Sequence, residues 1–129
     1  MPQNTPTPFR SAANTQAPAN LDAEGNLLTS SGDTKSALNI TAATVIKATP
    51  GRLAKIIIVA PGSGSGAFTF NDCATTGAAS AANTVFTLAY NATANVAGAV
   101  INLDWPFLVG IVLSAVPGAG APTVSVSYT

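Results

Sequence analysis

From about Ser36 onward the chain is a succession of short β-branched and aromatic runs cut by Gly/Pro turns, with no segment that reads as a long helix. The run Ser36 to Ala42 alternates and places Leu38, Ile40 and Ala42 on one face, with Val45 and Ile46 extending it to the turn at Pro50 and Gly51. Leu53 to Ala60 is continuously apolar and reads as a strand buried on both faces. After the Gly/Ser loop at Pro61 to Gly66, Phe68 and Phe70 share a face, and so do Phe86, Leu88 and Tyr90. Asp104, Trp105 and Pro106 break the short run Val100 to Leu103. Phe107 to Val116 forms a further strand with Gly110 at a bulge or close approach, and Val124, Val126 and Tyr128 face inward at the end. About seven short strands at even spacing predict an all-β domain: a single antiparallel β-sandwich, jelly-roll-like or immunoglobulin-like.

Residues 1–35 differ in kind. Pro2, Pro6, Pro8 and Pro18 stand among Gln, Asn, Thr, Ser and Ala, with Phe9, Leu21, Leu27 and Leu28 as the large apolar groups. Proline opposes both helix and central strand, and this stretch has too little apolar area to fold alone. It reads as an extended arm, ordered on a partner through those four anchors, ahead of a β domain over residues 36–129.

Charge sets the functional limits. Charged residues are 8% of the chain, with five basic groups, five acidic groups, no histidine and one cysteine. From Ile56 to Thr129 the only side-chain charges are Asp72 and Asp104. Catalysis needs acids, bases, nucleophiles or metal ligands gathered in one place, and this inventory predicts a protein that is not an enzyme. A net charge of zero gives no footprint for nucleic acid, and no run approaches the ~20 apolar residues of a membrane helix. The N-terminus lacks the basic and apolar regions of a secretory signal, and the lone Cys73 fits synthesis in a reducing cytoplasm.

The remaining motifs read as structure. Asp22, Glu24, Asn26 and Asp33 resemble a calcium loop only faintly, because Leu27 stands where the loop needs glycine. The glycines from Gly62 to Gly66 precede a strand rather than a helix and are followed by no lysine, so they form a hairpin turn and not a phosphate cradle. Cys73 has no histidine to activate it, and Asp72 and Asp104 suit turn hydrogen bonding. No cofactor or metal is expected. The basic groups all lie between Arg10 and Lys55, so charged contacts to a partner fall to Arg10 and Arg52, and the aromatic anchors to Trp105 and Phe107.

Several of these segments, taken in order, resemble those of a known class. Thr44-Val-Ile-Lys-Ala-Thr-Pro-Gly-Arg-Leu, then Ile56-Ile-Ile-Val, Phe68-Thr-Phe-Asn-Asp, Trp105-Pro-Phe, Gly110-Ile-Val-Leu and the closing Val124-Ser-Val-Ser-Tyr resemble small structural proteins of tailed-bacteriophage virions, of the head decoration (cement) or head-fibre type. The resemblance covers roughly residues 36–129 and brings no catalytic residues. It implies a β-sandwich or jelly roll that sits on the outer surface of a phage head, a homo-trimer bound to the major capsid protein or another virion protein. A fibre or tail component held by the arm, and a carbohydrate-binding sandwich module, are the alternatives.

Overall fold

The structure is a computed structural model, and it describes residues 34–118 and 120–129. The chain divides into two units, residues 1–31 and residues 32–129. The second unit holds eight strands: β1 (Lys35–Ile40), β2 (Thr44–Lys47), β3 (Gly51–Ala60), β4 (Ser65–Asp72), β5 (Thr84–Asn91), β6 (Val100–Phe107), β7 (Ile111–Ala115) and β8 (Thr123–Tyr128). Two short 3₁₀ turns, Thr76–Ala78 and Ala81–Asn83, lie between β4 and β5.

Strand β1 pairs with β8, β2 with β7, β3 with β6 and β4 with β5, all antiparallel. Those four pairings are the rungs of one long hairpin whose tip lies between β4 and β5. Folding that hairpin over adds the pairs β3·β8 and β4·β7 and sends alternate rungs to opposite sheets. The sheets therefore run β1-β8-β3-β6 and β2-β7-β4-β5. This is the double Greek key of an eight-stranded jelly roll, and it decides between the two sandwich topologies that the strand pattern alone allows.

The core lies between the sheets. Leu53, Ile56, Ile58, Phe107, Val124 and Val126 come from one sheet, and Ile46, Phe68, Phe70, Tyr90, Ile111 and Leu113 from the other. Phe70 stacks on its cross-strand neighbour Phe86 with centroids 4.8 Å apart, and Phe68 meets Tyr90 edge-on at 5.6 Å. The Tyr90 hydroxyl donates to the Pro61 carbonyl, which ties the β3–β4 crossover to the core. Each fully buried side chain of this size contributes about 1.5–3 kcal/mol, so the sandwich is held by apolar burial.

Several expectations are corrected. The segment from Ser36 to Ile46 is two strands in different sheets, because the chain crosses over at residues 41–43. The loop at residues 61–64 is likewise a crossover between sheets rather than a hairpin turn. Strand β3 is not buried on both faces: Ile57 and Val59 point outward, 38% and 43% exposed, because only one face of an antiparallel sheet meets the core. Leu38 and Ile40 do not share a face. Asn39 takes a left-handed conformation (φ 55°), and the resulting bulge turns Leu38 to solvent while Ile40 stays buried. The Asp104–Pro106 segment does not end a strand, since β6 runs through it to Phe107.

The registers show a further regularity. Each of the four edge strands carries one residue more than its neighbour can match: β1 at residues 38–39, β2 at Ile46, β5 at Val85 and β6 at residues 103–104. A bulge bends and twists an edge, so a further strand cannot add in register.

Candidate functional site

Two of those bulges face one another. Strands β5 and β6 are the edges of their sheets on the same side of the sandwich. Val85 is the extra residue of β5, and Leu103 lies in the bulge of β6. Between them opens an apolar cleft of about 230 Å³ lined by Val85, Phe86, Leu103 and Trp105. Trp105 forms one wall and is 54% exposed.

Between two of the lining residues stands a charged one. Asp104, beside Leu103 and Trp105, has φ 50°. Its carboxylate accepts from Arg52 on β3, with Nε 2.5 Å from Oδ1 and Nη2 3.4 Å from Oδ2. The hydrogen bond and the opposite charge raise the Arg52 guanidinium further above its ordinary range and lower the Asp104 carboxyl below its own.

Just beyond the cleft, β6 ends in an apolar prong. Leu108 is 76% exposed, and Val109 is exposed beside it. Two devices fix this turn. The Asp72 carboxylate at the end of β4 accepts three successive backbone N–H groups, from Leu108 (2.9 Å), Val109 (2.7 Å) and Gly110 (3.1 Å). Burial alone would raise the Asp72 pKa; the three N–H donors outweigh it and hold the group below the ordinary carboxylate range. Gly110 then threads a passage where a Cβ would lie 2.5 Å from the Cys73 carbonyl oxygen and 2.8 Å from that of Lys47. The sequence-based expectation of a close approach at Gly110 is met here.

The outer face of the second sheet carries a polar cluster. Asn71, buried and on β4, donates through Nδ2 to the Ser80 carbonyl (2.8 Å), Asn83 Oδ1 (2.8 Å) and Thr84 Oγ1 (3.1 Å). Its Oδ1 accepts from Ser114 Oγ at 2.5 Å. These bonds clamp the two 3₁₀ turns to the sheet beside a shallow groove of about 460 Å³ edged by Thr69, Thr76, Ser80 and Thr84. Among the described residues no buried side-chain N or O lacks a partner, so this cluster serves the fold. Cys73 is buried and its thiol donates to the Thr75 carbonyl at 3.3 Å. No group of three His, Cys, Asp or Glu side chains among the described residues is placed to hold a metal ion.

Of the expected partner-contact residues, Trp105 lines the cleft and Arg52 pairs with its neighbour Asp104. Phe107 does not join them. It is 1% exposed and packs in the core, because it continues the inward alternation of Ile101 and Leu103. Phe9, Arg10, Leu21, Leu27 and Leu28 lie outside the described residues, as does the segment from Asp22 to Asp33. Sequence reasoning missed the prong, having read Leu108 and Val109 as part of a strand. Pro106 before it and Gly110 after it were the available signals. Comparison with protein-family models, with curated proteins and with solved structures finds no match.

Proposed function

We propose that the chain is a non-catalytic structural protein of a phage virion, a decoration or cement protein that binds the outer surface of the head through its N-terminal arm and its β domain. One observation carries the reading. Both carboxylate side chains from residue 34 onward are occupied in holding the fold, Asp72 on the β6–β7 turn and Asp104 on Arg52. Its exposed surface includes large apolar features: the cleft, the prong, and Ile57, Val59 and Val100 on the outer face of a sheet. The jelly roll supports the same reading, since capsid and lectin domains use it, though fold alone does not assign function.

In this role the protein works by adhesion, each copy burying surface across joints between capsid subunits and opposing their separation. Deleting residues 1–30 should leave a folded β domain, because both sheets contribute described residues to one core cluster, while abolishing its sedimentation with empty heads. Equal binding by the truncated and full-length chains would remove the arm from the mechanism. The half-exposed Trp105 favours a glycan-binding module as the second reading, because sugars stack on such rings. Strong glycan-array signals lost in Trp105→Ala would establish it.

A further inference from the structure

We infer that the cleft between β5 and β6 receives the Leu108–Val109 prong of a second copy of this chain. The two features match in chemistry. Leu108 has the highest exposure among the exposed large apolar side chains of the described residues, and the cleft of about 230 Å³ is walled by Val85, Phe86, Leu103 and Trp105. They match in rigidity as well. The prong is held by the Asp72 carboxylate and by the Gly110 passage, so little freedom is lost when it docks.

The edges argue for the same mode. A bulge in every edge strand disfavours association by extending a sheet and leaves side-chain insertion as the better route for an apolar surface. A chain of zero net charge places no repulsion in the way. Geometry adds reciprocity. Trp105 and Leu108 are three residues apart, about 10 Å along an extended strand, so a copy that offers its prong brings its own cleft alongside. Such a contact can be made twice about a two-fold axis, each prong filling the other copy's cleft. This contact does not depend on where the protein is deployed.

Trp105 is the sole tryptophan, which makes the cleft its own reporter. The experiment follows tryptophan emission of the full-length protein across a dilution series, with its mass measured by sedimentation velocity on the same samples. The expected result is a dimer whose emission shifts to the blue as concentration rises. Leu108→Asp, at an exposed position that leaves the fold intact, should weaken association at least about tenfold and keep the monomer's red-shifted spectrum. Asp72→Asn, which loosens the turn without touching the cleft, should weaken it less. Mixing Leu108→Asp with Val85→Lys, whose prong is intact and whose cleft is blocked, should restore one of the two junctions. Association that is indifferent to Leu108→Asp would overturn the inference. So would dimers whose emission does not change on assembly, a chain that stays monomeric throughout, or a spectrum already blue at the lowest concentration and unaltered by Leu108→Asp.

Discussion

Asp104 Oδ1 lies 2.5 Å from Nε of Arg52, and the pair straddles the point where β3 and β6 slip register. One residue thus does two jobs: its left-handed backbone makes the bulge, and its carboxylate ties the bulge to the neighbouring strand. Glycine can do the first job and not the second; alanine can do neither well. Asp104→Ala should therefore melt below Asp104→Gly, and that gap should persist in ~1 M salt, which screens the ion pair of the wild type but leaves backbone strain unchanged. Identical melting of the two variants would show that the backbone at this position carries no constraint.

The Asp72 turn has a pH signature. The folded-state pKa is lowered, so the carboxylate contributes stability above the ordinary aspartate range near pH ~4 and loses it as pH falls through the lowered folded value. Near neutral pH, Asp72→Asn should cost about 1–3 kcal/mol, the scale of hydrogen bonds to a charged acceptor. The gap between wild type and variant should narrow as the pH is lowered below the ordinary aspartate range. Urea titrations across that range would check it. A gap that is constant with pH would mean that the charge on Asp72 is not what holds residues 108–110.

Gly110→Ala places a methyl against two backbone carbonyl oxygens, neither of which can swing aside. Overpacking of this kind costs about 1–3 kcal/mol, and here it would also displace the prong. Faster amide exchange at Leu108 and Val109 in the variant, with β4 and β7 otherwise protected, is the expected pattern. Full wild-type stability would place the loop more loosely than the geometry does.

The neighbours Trp105 and Phe107 should separate cleanly. Phe107→Ala opens the core and should cost about 3–5 kcal/mol, while Trp105→Ala, half in solvent already, should cost about 1–2 kcal/mol. Chemical denaturation of the two variants ranks them directly. The reverse order would contradict the assignment of one to the core and the other to the cleft.

What could be read from the residues followed their local chemistry. Phe68 and Phe70, Phe86 and Leu88, and Val124 and Val126 alternate without interruption, so their strands and inward faces were legible. Bulges were not. One extra residue at Asn39 shifts the inward set from Ala37 to Ile40, out of step, and nothing local marks the shift except an Asx residue tolerant of positive φ. Pairing such as β1 with β8 joins residues nearly a chain apart, so the jelly roll became visible only in the registers. The cleft is invisible in sequence for the same reason, because Val85 and Leu103 meet only once the two sheets are assembled. Trp105 alone of its lining residues was singled out beforehand, from its exposed-aromatic chemistry.

The proposed role of this jelly roll is that of a building block of a phage head. Cryo-microscopy of the particles that carry the protein, with copies counted and located, tests it most directly. The account expects density for the eight-stranded sandwich on the outside of the head, in numbers that scale with the capsid subunits. A few copies confined to the tail or fibres, or none on purified particles, would contradict it.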